Sequence, residues 1–439
     1  MSEINFDGLI GPTHNYSGLS EGNNASKKNY SSPSNPKNAA LQGIKKVETL
    51  IACGLEQGFF LPHERPFIPG LKKLGFNGTD EEILSSAFNH SKVLLSNFSS
   101  ASSMWAANAA TISPSYDTQD NKIHLTPANL NTMFHRSIET EFTYQQSKII
   151  FPKEYFEIHN PAVTISGYGD EGAANHLRIS KSHNEKGFEI FIYGESGFKT
   201  AKKSVRRQAL EVSRSIAFNH KLDMENTFFL QQNHQAVEEG SFHNDIVSLS
   251  NENVFIAHEK AFQNKDDLNE MLNVLESKID NFQYIEISDS EIPLKDIINS
   301  YLLNSQLITN GDGEMQLILP EEVKGYENCI SWLDKLKQIS DVKLFDFVDI
   351  RQSMMNGGGP ACLRLKVILN DEELDSLNQN FLMNNERLES IKSLVEREYR
   401  DVLYPDDLKD PNLLDESRKV LDELTQIFGT GSIYEFQKL

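Results

Sequence analysis

From residue 160 onward the chain alternates short apolar runs with amphipathic stretches. Phe188–Tyr193 (FEIFIY) reads as a buried strand, and Ala162–Ser166 as another. Ser204–Phe218 predicts a helix, because Val205, Ala209, Val212 and Ile216 recur at the spacing of one buried stripe. Strands follow at Thr227–Leu230, Asp245–Leu249 and Val254–Ala257; Leu268, Leu272, Leu275 and Ile279 then share one helix face. The pattern continues as strand Tyr284–Ile287, helix Lys295–Leu307, strand Gln316–Leu319, helix Glu327–Lys337 and strands Val342–Val348 and Cys362–Leu369. The grouping is strand-strand-helix-strand, repeated, with no sequence repeat at a fixed period. Upstream, Ser17–Ser26 and Ser31–Pro36 read as loop, Leu41–Cys53 as helix, and residues 54–70, with Pro62, Pro66 and Pro69, as irregular. The chain from Glu386 is charged and mostly helical, interrupted at Pro405 and Pro411.

Length alone, 439 residues, suggests about three domains. No low-complexity linker between residues 100 and 370 marks a boundary. The formal charge of −21 argues against a nucleic-acid binder, which needs a basic face. Three scattered cysteines, Cys53, Cys329 and Cys362, without a CxxC pair, indicate a reducing compartment and neither a disulfide framework nor a zinc site. The N-terminus lacks a basic segment followed by an apolar run, so no signal peptide is expected, and no apolar stretch reaches the length of a membrane span.

Four segments can carry chemistry. Asn356-Gly-Gly-Gly-Pro-Ala-Cys362 precedes a strand in which Leu363, Leu365, Val367 and Leu369 alternate. Consecutive glycines let backbone N–H groups approach a ligand, and a thiol there can sit at the floor of a pocket. A buried apolar cysteine beside a tight turn is the equally open alternative. His243 and Asp245, two apart at an expected strand start, point to one face and suit proton transfer near neutral pH; a hairpin-edge pair fits them as well. Gly167-Tyr-Gly-Asp170-Glu171-Gly172 matches GxGxxG literally, yet two carboxylates in the turn would repel a pyrophosphate. Those acids fit a cationic ligand or a solvated turn. The fourth group is positive or amide-bearing: Asn108, His135, Arg136, Arg206, Arg207, Gln208 and Gln231–Asn233. Arg207, about 200° around the helix from Val205, is expected to face away from the core and to be able to grip a carboxylate. A cysteine, a histidine and several acids together suit thiolate attack on a planar cationic carbon: a hydrolase of neutral substrates needs one orienting acid, whereas a guanidinium needs anions around it.

HNYSGLSEGNNAS, HERPFIP, SMWAANAAT, GDEGAANH, SFHNDI and NGGGPACLRLKV resemble the N-succinylarginine dihydrolase family. The resemblance runs from NFDGL at residue 5 to the C-terminal GSIYEFQ. The family belongs to the guanidino-group-modifying (amidinotransferase-like, or pentein) superfamily. It implies an α/β fold, a five-bladed α/β propeller with a pseudo-fivefold arrangement of ββαβ modules, residues 1–439 forming one catalytic domain. The reaction implied takes N2-succinyl-L-arginine and two waters to N2-succinyl-L-ornithine, two ammonia and CO2, in the arginine succinyltransferase route of arginine catabolism. A single-step deiminase with a citrulline-type product is the alternative. By motif, Cys362 is the nucleophile, His243 the acid/base and Glu171 its supporting carboxylate. Substrate contacts map to Ser17, Gly18, Leu19, Ser20, Gly22, Asn23, Ala25, Ser26, Asn108, His135, Arg136, Arg207, Asp245 and Asn356, with Arg136, Arg207 and His135 at the anionic succinyl end. Glu21 is expected to point outward, away from that end. The resemblance implies no metal or organic cofactor, no nucleic-acid or membrane partner, a cytoplasmic location and a homodimer.

Overall fold

The strand-strand-helix-strand grouping is realised five times. The computed structural model describes residues 1–196 and 207–438. β1 (Ser2–Gly8) is joined to the parallel β2 (Glu56–Phe60) through the helix Pro36–Ala52. β3 (Ala110–Ser113) and β4 (Ile123–Pro127) pair antiparallel, and helix Thr140–Ile150 leads to the parallel β5 (Phe156–Ile158). β6 (His176–Ile179), β7 (Phe188–Tyr193) and β8 (Thr227–Gln231) repeat this around helix Leu210–Asn219. So do β9 (Ser248–Asn251), β10 (Val254–His258) and β11 (Gln283–Ile287) around helix Lys265–Lys278. The same holds for β12 (Gln306–Thr309), β13 (Met315–Pro320) and β14 (Val342–Val348) around helix Glu327–Ile339. The last strand, β15 (Arg364–Leu369), returns to β1 antiparallel, so the first sheet is sewn from both ends of the chain.

The middle strand of each sheet is buried along nearly its whole length; β7, β10 and β13 read as largely apolar runs, whereas β1 and β4 interleave polar residues such as Asn5 and His124. Gly58 in β2 is required by that packing: a Cβ there would lie 2.5 Å from the ring of Phe6, its register partner on β1. One core joins β1, β15, the Pro36–Ala52 helix and the C-terminal helices Asn385–Glu398 and Pro411–Ile427; a second joins the sheets of β9 to β14. Among the described residues no helix is long and apolar enough to cross a membrane, and no group of three or more His, Cys, Asp or Glu is placed to hold a metal.

Several expectations are corrected. Ala162–Ser166 is not a strand: Val163 and Ile165 are more than half exposed, in a loop. β1, and β2 within the proline-rich stretch, are strands that the loop composition around them hides. The helix expected over Lys295–Leu307 stops at Ser300, where Tyr301 turns left-handed (φ +57°), and Leu307 belongs to β12. Asp245–Leu249 begins as a 3-10 turn, Asn244–Ile246, before β9. The helix expected from Ser204 begins at Leu210, and its first residues, Val205 and Arg206 among them, lie outside the described residues.

Candidate active site

The three-glycine run brings Cys362 to its place. Gly357 ends the helix Arg351–Asn356 in the left-handed region (φ +104°), where a side chain is strained. A Cβ on Gly358 would lie 2.3 Å from the Trp105 indole nitrogen, and one on Gly359 2.4 Å from Asn304 Oδ1. The chain threads this gap and turns into β15, with Cys362 buried at the turn. Its Sγ lies 3.5 Å from Asp245 Oδ2. Asn304 fixes both partners through backbone groups: its Nδ2 donates to the Asp245 carbonyl at 3.1 Å, and its carbonyl accepts from Ala361 N at 3.0 Å. Burial, then the neighbouring Asp245 charge, pushes the Cys362 thiol well above its ordinary range. Burial likewise pushes Asp245 up to about 7, against the opposing hydrogen bonds of Cys362 and Asn304 and the charge of Arg364. Thiol and carboxyl are each held towards the neutral form, as expected for acids taken out of water side by side.

His243 faces a different carboxylate. Its Nε2 lies 2.7 Å from Glu171 Oε2. Glu171 is fully buried and accepts from Arg136 Nη1, and from Thr132 Oγ1 at 2.9 Å; Arg207 Nη1 stands 3.9 Å away. Burial alone would raise the Glu171 pKa, but Arg136, the His243 hydrogen bond and Arg207 outweigh it and hold the carboxyl below the usual range. His243 is pushed down to about 4, by burial first, against the pull of Glu171 and with help from Arg207 and Arg136. The loop carrying Glu171 is tied by Asn108, whose Nδ2 donates to the Glu171 carbonyl at 2.7 Å, and by Gln208, whose Oε1 accepts from Glu171 N at 2.7 Å.

The Ser17–Ser26 segment lies over this cluster. Ser20 Oγ is 3.3 Å from His135 Nε2, and Arg207 Nη2 donates to the Glu21 carbonyl at 2.8 Å. Asn23 Nδ2 donates to the Asn356 carbonyl at 3.0 Å, and Ser26 Oγ to Asn356 Oδ1 at 3.2 Å. The Glu21 side chain is exposed, as its charge requires. Ser17, Gly18, Leu19, Ser20, Ser26, His135, Trp105 and Asn356 line a cavity of only about 10 Å³. Gly22 (φ +83°) and the short helix Asn24–Lys28, capped by Asn23 and containing Ala25, complete the segment.

The structure thus gathers Cys362, Asp245, His243, Glu171, Asn108, His135, Arg136, Arg207, Asn356 and the N-terminal segment, from positions spread over more than three hundred residues. Two local expectations fail. His243 and Asp245 do not share a strand face; His243 caps a 3-10 turn that contains Asp245, and the two serve separate partners. Arg207 is neither helical nor solvent-facing: it is buried before the helix starts, with its guanidinium 4.5 Å from the centre of the Phe242 ring. Arg136 and Arg207, expected at the succinyl end, flank Glu171 in the structure. Thr132, Asn304 and Arg364 escape sequence reasoning. Thr132 and Asn304 carry no local signal, whereas Arg364 and Lys366, interleaved with buried apolar residues on one strand, do: a strand with one cationic face buried needs anions or a cavity behind it.

A family model described as succinylarginine dihydrolase matches residues 1–437. Curated N-succinylarginine dihydrolases from Idiomarina loihiensis and Acinetobacter baumannii are each 45% identical over 99% of both chains. That of Marinobacter nauticus is 46% identical over 99% of this chain and 98% of its own. Among solved structures, the arginine dihydrolase ArgZ of the cyanobacterial ornithine-ammonia cycle is similar with a TM-score of 0.51 at 13% identity, over 84% of this chain. This chain spans 42% of that protein's length but 98% of its N-terminal domain solved with substrate, where the TM-score is 0.50 at 13% identity over 83% of this chain. That likeness bears on the α/β fold.

Proposed function

The chain belongs to the succinylarginine dihydrolase family, and from that membership and the site we propose that it hydrolyses N2-succinyl-L-arginine to N2-succinyl-L-ornithine, two ammonia and CO2. The observation that carries the reading is the division of labour between two buried carboxylates: Asp245 on the thiol and Glu171 on the imidazole. A guanidinium set between Cys362 and His243 would meet an anion from each. Its positive charge would draw the proton from Asp245 and favour the thiolate, which is the nucleophilic form. Cys362 gives its proton to His243 and attacks the guanidinium carbon, and His243 passes that proton to one terminal nitrogen, which leaves as ammonia. Water, relieved of a proton by His243, adds to the S-linked amidino carbon and expels the thiolate, giving the ureido compound. In a second pass Cys362 attacks the ureido carbon and the remaining terminal nitrogen leaves as ammonia. The second water releases a carbamate that breaks into CO2 and the ornithine amine. Glu171 keeps His243 oriented and stabilises its protonated form.

The succinyl and α-carboxylate groups fit the other side. Arg136 gives one nitrogen to Glu171, but among the described residues its Nε and Nη2 have no hydrogen-bond partner, and neither has Arg207 Nε. Ser17, Gly18, Leu19, Ser20, Gly22, Asn23, Ala25, Ser26, Asn108, His135 and Asn356 complete the substrate contacts in this reading. No metal or organic cofactor takes part. The five ββαβ units form a closed five-bladed propeller of pseudo-fivefold symmetry and one catalytic domain over residues 1–439. Support comes from the β1–β15 pairing of the two chain ends and from one cavity lined, in every sheet, by the strand antiparallel to the middle one: Ile112, Arg178, Ser250, Leu307 and Lys366. A homodimer in the cytoplasm completes the reading; the three free cysteines suit a reducing compartment. Incubation with N2-succinylarginine tests the reaction by mass and ammonia: two ammonia and succinylornithine are expected, and one ammonia with a ureido product would overturn it.

A further inference from the structure

Two hydrolyses at one thiol impose a demand that the substrate pocket does not meet. The ureido intermediate has to stay bound while one ammonia leaves and a second water arrives. On the side of the succinyl contacts the Ser17–Ser26 segment is fastened to His135, Arg207 and Asn356 and closes over a cavity of about 10 Å³. Exchange there would require lifting the segment that retains the intermediate.

A second cavity, of about 120 Å³, starts at Asp245 and Ala361, next to the nucleophile, and runs along the antiparallel edge strand of each of the five sheets. On β15 it meets Arg364, Lys366 and Ile368 in turn, and so extends on the order of 20 Å from the turn that carries Cys362. Asp245 belongs to both spaces: Oδ2 faces Cys362 Sγ, while Oδ1 has no hydrogen-bond partner among the described residues. Ser305 Oγ and Arg364 Nε, on the cavity wall or behind it, also have none among the described residues. Buried polar atoms of this kind usually bond small polar molecules, and the space holds several of them. We propose that this cavity is the route by which ammonia leaves, and replacement water reaches Cys362, while the intermediate stays under the N-terminal segment. The inference rests on the two-hydrolysis reading above.

Ser305→Leu, just before β12, and Leu177→Phe, on β6, narrow the cavity at two separate points of its lining without touching the proposed machinery; Ser305→Ala removes the hydroxyl without narrowing it. The assay counts ammonia and free succinyl-ureido product per substrate consumed, with thermal unfolding checking that each variant is folded. The narrowed variants should fall from two ammonia towards one, shed the ureido compound, and lose at least tenfold in the rate of succinylornithine formation, while Ser305→Ala keeps two. Folded narrowed variants that give two ammonia at the wild-type rate overturn the route. A measurement on the unaltered enzyme guards against misfolding: labelled substrate is turned over in excess unlabelled ureido compound. Label passing undiluted into succinylornithine supports retention, and label appearing in the free ureido pool in every turnover overturns the proposal. If the unaltered enzyme releases one ammonia, it is the function that fails instead.

Discussion

Neutralising Asp245 should make Cys362 more reactive towards an alkylating agent and less able to turn over substrate. The carboxylate oxygen is 3.5 Å from Sγ, and two full charges at that distance repel by about 4.7 kcal/mol at an effective dielectric constant of 20. Removing that repulsion with Asp245→Asn lowers the thiol pKa by up to about 3 units. A less basic thiolate is also a weaker nucleophile, which cancels nearly half of the gain on a logarithmic scale, so alkylation should accelerate on the order of 50-fold. At pH 8, above the value of about 7 to which Asp245 is pushed, the carboxyl of the unaltered enzyme is mostly ionised and the contrast is large. The assay is iodoacetamide labelling followed by mass spectrometry of the Cys362 peptide, with half-exposed Cys53 as internal reference. Meanwhile kcat/KM for N2-succinylarginine should fall roughly 10- to 100-fold, the worth of one hydrogen bond to a charged group. Alkylation of Cys362 that is unchanged or slower in the variant would refute the reasoning, because the thiol would then not be held neutral by this neighbour.

Glu171→Gln should lower kcat by about 10²- to 10⁴-fold in steady-state assays, since His243 loses the anion that orients and stabilises its protonated form. Gly358→Ala places a methyl against Trp105 and should cost about 1–3 kcal/mol in urea unfolding, with kcat falling as the Cys362 turn shifts. Lys46→Met strands Asp7, its fully buried partner at 2.5 Å, and should cost about 3–5 kcal/mol by the same measurement; the double replacement with Asp7→Leu should recover much of that loss. His243 and His14 have folded pKa values of about 4, and His135 about 3, all below the ordinary 6.5. The unfolded chain therefore binds more protons below pH 6.5, and their contribution, full above 6.5, should be lost as the pH falls towards 4, read as a falling urea midpoint.

The fold was legible where a strand is covered on both faces, because β7, β10 and β13 write their burial as largely apolar runs. It was illegible where the run is short or interrupted: β2 holds Gly58 for the sake of the Phe6 ring, and glycine reads as loop. Leu307 was drawn into a preceding helix because the break at Tyr301, a left-handed non-glycine residue, has no compositional mark. At the site, residue types pointed to thiolate chemistry on a cation, but partners did not follow from spacing. Asp245, two residues from His243, serves the thiol, while Glu171, seventy-two residues away, serves the imidazole. A 3-10 turn in place of a strand makes that difference, and turns of three residues leave no periodic trace.

The charges around the thiol bear on specificity as well as on rate. Cys362, Asp245 and His243 are each pushed by burial towards their neutral forms, while Glu171 alone is held charged, by Arg136 and Arg207. Around Cys362 the acids, Asp245 among them, thus have capacity for a further cation beside Arg364. A guanidinium supplies that cation, ionises Asp245 and brings the thiol within reach of its working form, so activation is coupled to the arrival of the group to be cleaved. In the second hydrolysis the ureido carbon brings no charge. Nothing from the substrate then offsets the Asp245 carboxylate, and the proton has to stay on it or be supplied again. The second pass is therefore the more acid-dependent of the two. At pH well above 7 the unaltered enzyme should accumulate the ureido compound, and a product ratio independent of pH would show that Asp245 carries no proton in that step.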